Sequence, residues 1–374
     1  MRKDYRICTR CIMDTSDPDI TFDEEGVCSH CRRYERLVKS PEYLEKKKPG
    51  ALDRLVAEIK AAGRGKPYDC ILGVSGGVDS TYSAYLVKKL GLRPLAVHLD
   101  NCWNTSLAEA NIRKATEILD IDLEICKVDW EGFRDLQLAF LKASTPDSEI
   151  PTDHALLACL YYVAAREGVR FIISGHNMAT EGGGVPAWSQ GHGDWRYIKG
   201  VHRLFGTRRL GKYYHYGPWG FFYYTVLRRI RWVPLLDYID YVKDEVVKVL
   251  KERLAWEPYE AKHYESVYTR FYQGYILPRK FGFDKRRLHL SSLVWSGQLS
   301  RAEALEEMVR EHYPEEQLKL DKTLFLEKMG ISAAEFEAIM KAPTRTFWDY
   351  PSYKRLPLFR SKTLRKLYHR LKRD

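Results

Sequence analysis

Apolar and polar positions follow two rhythms along most of this 374-residue chain. Short runs rich in Val, Ile and Leu read as strands buried on both faces, and longer stretches with apolar residues three and four apart read as helices. Leu52, Leu55, Val56 and Ile59 predict an amphipathic helix. A strand follows over 69–74, a helix over 81–90 closed by Gly91, and a strand over 94–99. Ser106 and Glu109 form a capping-box pattern that opens a helix to Leu119. Next come a strand over 122–128, a helix over 155–167 ending at Gly168, a strand over 170–174 and a fifth over 231–236. Strands alternating with helices imply an α/β fold with a doubly wound parallel sheet. Ligands of such sheets sit beyond the carboxyl ends of the strands, where strand order reverses. The last third reads as helical. Ser300 and Glu303, and Ser332 and Glu335, make two more capping boxes, and Leu305, Met308 and Val309 share a face.

Composition narrows the class. Hydrophobic residues at 45% and charged residues at 30% describe a soluble globular protein, and no apolar stretch is long enough to span a bilayer. Met1–Tyr5 has no apolar segment behind its charges, so no signal peptide and a cytoplasmic location are expected. The formal net charge is +11, partly gathered in a basic tail: from Lys354 to Asp374 nine basic residues face one acid. With Leu364, Leu367 and Leu371 at helical spacing, the plain reading is a solvated amphipathic helix. Nucleic acid, an anionic membrane surface or an acidic partner would also suit it. Residues 213–236 are unusually aromatic. A packed core helix and strand is the plain reading, a partner surface or an interfacial membrane segment the other.

The eight cysteines split into two groups. Cys8-x2-Cys11 and Cys28-x2-Cys31, separated by 16 residues, have the spacing of a four-cysteine structural zinc site. Turn residues at Asp17-Pro18 and Asp23–Gly26 flank a short strand Ile20-Thr21-Phe22, as in a zinc ribbon. Lys46–Gly50 marks the junction between this ribbon and the first amphipathic helix. Cys70, Cys102, Cys126 and Cys159 stand singly in apolar surroundings and read as core residues.

The first strand runs into Ser75-Gly76-Gly77-Val78-Asp79-Ser80. Gly76 and Gly77 let the backbone approach an anion, and the following helix offers its positive end. Ser75 and Ser80 add hydroxyls. Asp79 is repelled by phosphate, so it is assigned to a Mg²⁺ bound there. The loop has no Lys of the Walker kind, which argues against γ-phosphate transfer.

Ser-Gly-Gly-Val-Asp-Ser resembles the signature loop of the PP-loop ATP pyrophosphatases. Four further stretches, residues 8–31, 97–105, 148–182 and 261–305, resemble the N-acetyl sugar amidotransferases of bacterial surface-polysaccharide synthesis. The resemblance runs from about Arg6 to about Met340 and is weak over 183–230 and in the tail. It implies adenylation of the amide oxygen of a UDP-linked N-acetyl sugar, with release of pyrophosphate. Ammonia from a separate glutaminase and cyclase-like pair would then expel AMP and leave an acetamidino group. The chain has no evident glutaminase cysteine set of its own. ATP, Mg²⁺ and Zn²⁺ are the implied cofactors. Adenine is expected against the second strand at Val97, His98 and Leu99, and Lys280 and Arg286 are expected to neutralise the leaving pyrophosphate. Glu265 would orient ammonia or accept its proton, His176 would contact AMP or polarise the amide, and Glu181 would share Mg²⁺ with Asp79. Asp100, Asn101, Trp103, Asp153, Lys262 and Arg270 are the candidate substrate contacts. Gly182-Gly183-Gly184 reads as a mobile loop over the site.

The domain reading is a zinc-ribbon module over 1–48, a PP-loop domain over 49–240 with an insertion at 183–230, a helical region over 241–345 that completes the site, and a basic tail over 346–374. The alternative is a tRNA-thiolating PP-loop enzyme, since some of these also begin with a zinc ribbon and the charge suits RNA. The scattered single cysteines, with no CxxC pair beyond the ribbon, count against it, and nucleic acid is not expected as a partner.

Overall fold

A computed structural model describes residues 4–259, 264–311 and 313–357. Five strands, β1 (Cys70–Gly73), β2 (Pro94–Asp100), β3 (Asp122–Lys127), β4 (Phe171–Ser174) and β5 (Arg231–Pro234), form one parallel sheet in the order β3-β2-β1-β4-β5. The chain builds outward from β1 to β3, then crosses back to β4 on the other side of β1. That reversal is the switch point of a doubly wound sheet.

Alternation along the strands feeds two cores. Ile71, Leu95, Val97, Leu99 and Ile172 pack toward the helices Trp130–Ala143 and Ile150–Arg166. Cys70, Leu72, Ala96, Phe171, Ile173 and Val233 pack toward the helices Ala51–Ala62, Val78–Lys89, Ser106–Ile118 and Lys243–Leu254. Both faces are covered, as a parallel sheet requires.

The strand pattern is legible within a residue or two, but three local expectations change. Thr105, not Ser106, caps the helix Ser106–Ile118, accepting from the Ala108 N–H. The helix Ile150–Arg166 starts five residues before the predicted 155, with Pro151 in its first turn, so Asp153 lies inside it. The strand expected at Ile20–Phe22 reduces to a single bridge between Phe22 and Cys28. The boxes at Ser300–Glu303 and Ser332–Glu335 form as read.

The four N-terminal cysteines are buried together. Sγ separations are 3.8 Å for Cys8–Cys31, 3.6 Å for Cys11–Cys28 and 3.7 Å for Cys28–Cys31. Sulfurs about 2.3 Å from a tetrahedral zinc ion lie about 3.8 Å apart, so this donor set fits zinc with no ligand position left over. Backbone N–H groups of Cys28 and Met13 point at Cys8 and Cys11 sulfurs, and Trp295 Nε1 donates to Cys31 Sγ at 3.2 Å. Such donors stabilise thiolate charge.

This module grips the helix Arg286–Trp295. Arg287 pairs with Asp14 and donates to the Ile12 carbonyl, Ser291 Oγ accepts from the Ile12 N–H, and Arg301 donates to the carbonyls of Cys8 and Cys11. The triple glycine belongs to the same contact. A Cβ on Gly182 would lie 2.5 Å from the Tyr34 ring, and one on Gly183 would lie 2.7 Å from the Trp295 ring. Close packing of the module on the helix, rather than loop mobility, accounts for these two glycines.

The purified protein is therefore expected to carry one zinc ion per chain, and Cys28→Ser is expected to lose it and melt at lower temperature. Elemental analysis with thermal denaturation checks this; a variant that melts like the wild type would remove the metal from the account of the fold.

Candidate active site

The loop after β1 is shaped by Gly76. Its φ of +80° is favourable only for glycine, and a Cβ there would lie 2.7 Å from the Ala108 carbonyl oxygen. The Gly76 carbonyl accepts from Trp256 Nε1 at 2.9 Å and from the Tyr259 hydroxyl at 3.1 Å. Across a trans peptide the Gly77 N–H then points the opposite way. Ser75 and Ser80 hydroxyls sit 3.2 Å apart, and Ser80 also donates to the Gly77 carbonyl. The helix Val78–Lys89 starts at Gly77 with no side-chain cap, so its first amides are available to an anion.

Ser75, Gly77, Val78, Asp79 and Ser80 line a cavity of about 1020 Å³ at the carboxyl ends of β1 and β4. Asp79 is held by the Tyr241 hydroxyl on one oxygen and by Thr180 Oγ1 at 3.2 Å on the other. Burial and the Asp79 charge push the Tyr241 phenol well up, which keeps it a donor. From the loop after β4, His176 Nδ1 and Glu181 pair at 2.8 Å, and both face the cavity. Gly175 brings that loop against the start of the helix, since a Cβ there would meet the Asp79 carbonyl carbon at 2.9 Å. Asp79 and Glu181 supply two carboxylates and no larger acidic cluster; the cysteine set is the sole group of three or more candidate metal ligands among the described residues. Mg²⁺ prefers such a set, with phosphate oxygens and water completing its shell.

Glu149, Asp153 and Lys285 line the opposite wall, and Asp147 and His192, which the sequence alone does not single out, lie beside them. Asp147 and Asp153 each lie 3.3 Å from His192 Nε2, and Ser189 donates to Asp147 at 2.5 Å. Burial alone would lower the His192 imidazolium, but the two carboxylates raise it to about 10. Lys285 Nζ lies 3.9 Å from Glu149, which also accepts from Gln273 at 2.8 Å. Burial works against the Lys285 charge, but Glu149, Asp147, Asp153 and Glu181 outweigh it and raise the ammonium. Burial raises the Glu149 carboxyl. The signal in the sequence is the density of acids at Asp147, Glu149 and Asp153, of which only Asp153 is among the expected contacts.

The remaining expected site residues divide cleanly. Glu265 lines the cavity beside the loop, close enough that a Cβ on Gly77 would lie 2.5 Å from its Oε1. His98, Leu99, Asn101, Asp153 and Arg286 also line it. His98 has both ring nitrogens engaged, Nδ1 with the Val74 carbonyl and Nε2 with Asn104 Nδ2. Arg286 is clamped by Asp284 and reaches the carbonyls of Met308 and Arg310.

Five expectations are displaced. Lys280 bonds the carbonyls of Ile339, Met340 and Ala342 at the end of the helix Ala333–Lys341, away from the cavity lining. Arg270 makes a two-pronged pair with Asp321 at 2.6 and 2.8 Å. Trp103 is buried among Trp130, Tyr268 and Phe325 and donates to Gln137, so it presents no face to a sugar. Asp100 accepts from the Cys102 N–H within its own turn, and Val97 lies inside the sheet. Lys262 falls outside the described residues.

Among curated proteins the chain is similar to the tRNA-specific 2-thiouridylase MnmA of Mesomycoplasma hyopneumoniae (strain 7448), 28% identical over 156 residues, covering 35% of this chain and 42% of that one. It is 29% identical over 129 residues to a probable mitochondrial tRNA-specific 2-thiouridylase 1 of Caenorhabditis elegans, covering 30% and 34%. The chain thus spans less than half the length of these relatives. Among solved structures, NMN synthetase from Francisella tularensis aligns at 15% identity and a TM-score of 0.32, over 79% of this chain and 96% of that one. NH3-dependent NAD synthetase from Campylobacter jejuni subsp. jejuni NCTC 11168 aligns at 14% identity and a TM-score of 0.29, over 57% and 93%. Superpositions this loose add nothing to what the sheet order already establishes. Residues 265–367 match the family described as LPS biosynthesis protein WbpG-like, C-terminal domain. Those residues supply Glu265, Lys285, Arg286 and His289 to the cavity over the glycine loop, so the part of the chain that is similar to this lipopolysaccharide-biosynthesis family is one that lines the cavity.

Proposed function

We propose that this protein is an AMP- and pyrophosphate-forming amidotransferase of lipopolysaccharide O-antigen synthesis. It converts the N-acetyl group of a UDP-linked sugar to an acetamidino group, using ATP and ammonia. The observation that carries this reading is that one cavity is closed on one side by the glycine loop and on the other by the WbpG-like region.

An amide carbon is a poor electrophile and its oxygen a poor leaving group. Adenylation of the oxygen solves both, and positioning with charge stabilisation is then the protein's main task. The Ser75–Ser80 loop holds the phosphates, and Asp79 with Glu181 would hold Mg²⁺, which offsets phosphate charge as pyrophosphate departs. Lys285, whose ammonium faces the cavity, takes the role expected of Lys280. When ammonia adds to the activated carbon, the new C–N bond leaves its nitrogen positive. One proton then passes to a carboxylate, Glu265 or Glu149, and the C–O bond breaks with its electron pair leaving on AMP. Asn101, Thr152 and Asp153 line the cavity and would hold the sugar. Ammonia is supplied by a separate glutaminase and a cyclase-like partner.

The thiolation reading draws on the 2-thiouridylase relatives. It meets one specific obstacle: no cysteine lines the cavity among the described residues, and Cys70, Cys126 and Cys159 are buried.

Purified protein with ammonium, Mg·ATP and a UDP-linked N-acetyl sugar is expected to release AMP and pyrophosphate. The sugar product should be lighter by the difference between O and NH. Release of ADP, or transfer of sulfur to tRNA, would overturn the reading. Lys285→Ala is expected to lower kcat by about 100-fold or more. Lys280→Ala should chiefly lower the melting temperature, because its ammonium caps a helix.

The His192 network also sets a pH dependence. An unfolded histidine titrates near ~6.5. The ion pair's stabilisation is therefore complete below that pH and is lost as pH rises through about 10. Across this window the folded chain holds the extra proton, so stability falls with rising pH. His192→Asn is expected to flatten the decline by roughly 1–2 kcal/mol, less than the whole shift because the His192 side chain is 35% exposed. Chemical denaturation of both proteins across that pH range checks it.

A further inference from the structure

Residues 195–236 contain nine basic residues and no Asp or Glu. Residues 354–374 contain nine basic residues and one acid. Together these segments carry more positive charge than the whole chain's net +11, so the remainder is net negative. The positive charge is therefore segregated. Among the described residues, no basic side chain of either segment lines the candidate active-site cavity.

The chain just before the second segment packs on the first. Pro351 packs against Gly200, the Tyr353 N–H donates to Asp194, and the Tyr353 hydroxyl reaches Gly217. Gly217 immediately precedes a helical run, Pro218–Phe222 continued as Tyr223–Leu227. Tyr353 thus lies beside the start of this helix.

That helical run carries one exposed apolar stripe: Trp219 (82% exposed), Tyr223 (42%) and Leu227 (65%), each four residues after the last. Tyr162 continues the surface, half exposed and in contact with Tyr214, while Tyr223 touches Tyr224. Arg228 and Arg229 follow the stripe, and Lys212 stands two residues before Tyr214. Arg208 pairs with Glu131 and Arg231 with Glu58. Arg203, Arg209, Lys212 and Arg229 are exposed and have no ion-pair partner among the described residues.

We propose that this surface docks on an anionic lipid bilayer, the Trp219–Tyr223–Leu227 stripe entering the headgroup boundary and the surrounding arginines and lysines meeting lipid phosphates. Tryptophan and tyrosine are suited to that boundary, being apolar with one polar edge. A narrow apolar stripe bordered by Arg and Lys is the pattern of a helix lying in a membrane surface. Phosphate-rich RNA would satisfy the arginines and stack on the aromatic rings, but it has no use for the exposed aliphatic Leu227 and Leu204. Hydrocarbon does.

The test is sedimentation of the full chain with vesicles of phosphatidylcholine alone and of phosphatidylcholine mixed with phosphatidylglycerol, alongside gel-shift titration with bulk tRNA. Binding to the mixed vesicles only is expected, weakening about tenfold as salt rises from low to high. Trp219→Ser/Leu227→Ser and Arg209→Glu/Lys212→Glu are each expected to lose about tenfold in vesicle affinity with unchanged circular dichroism. Three results would overturn the proposal: no binding to mixed vesicles, full binding by Trp219→Ser/Leu227→Ser, or tRNA binding tighter than vesicle binding and lost in both variants.

Discussion

A parallel sheet whose strand order reverses leaves an opening that its own crossovers cannot cover. Here the reversal falls between β1 and β4. The loops after those two strands diverge, one into the helix Val78–Lys89 and one toward His176 and Glu181, and the floor between them is backbone. Each strand end contributes a close-approach glycine, Gly76 or Gly175, because there is no room for a Cβ where the loops meet their neighbours. The anion-friendly amides, the two carboxylates and the cavity all stem from this one topological gap.

Closing the gap falls to the chain's two ends. The helix Arg286–Trp295 brings Arg286 and His289 to the cavity, with Lys285 just before it, and that helix is anchored by the four-cysteine module through Arg287, Ser291 and Trp295. A small metal-type module therefore acts at a distance. It contributes no residue to the cavity, yet it fixes the register of the helix that does. Gly182 and Gly183 tie the β4 loop to the same contact, so the module touches both the floor and the roof of the site. The N-terminal position of the cysteines conceals this, because the partner helix lies more than 250 residues away in sequence.

The features legible in the sequence are local. The strands, the glycine loop, the cysteine spacing and two capping boxes depend on residues near one another, and each appears where expected. The displaced expectations depend on partners far along the chain. Lys280 and Lys285 are indistinguishable in sequence, five residues apart beside similar aromatic neighbours. The turn at Gly282, with φ of +73°, sends them to different places: one to the end of a helix, the other to Glu149. Arg270 is taken by Asp321, and Trp103 by a core assembled from four separate segments. His192 carries no local signal, because its importance comes from Asp147 and Asp153, about forty residues earlier.

The net charge is the clearest case in which composition and structure give different answers. A value of +11 read over the whole chain points toward nucleic acid. Resolved in space, it does not describe the site at all. Two cations that line the cavity are compensated within it: Lys285 is surrounded by four carboxylates and Arg286 is held by Asp284, while His192, beside the lining Asp153, lies between two carboxylates. Such a site accepts a polyanionic nucleotide only by rearranging its own pairs or by bringing a divalent ion with it. This is consistent with a magnesium-bound triphosphate held mainly by backbone amides rather than by side-chain cations. Among the described residues, Arg203, Arg209, Lys212 and Arg229 carry part of the surplus charge on an exposed surface of the segment that also holds the exposed Trp219. That charge is therefore separate from the chemistry of the cavity.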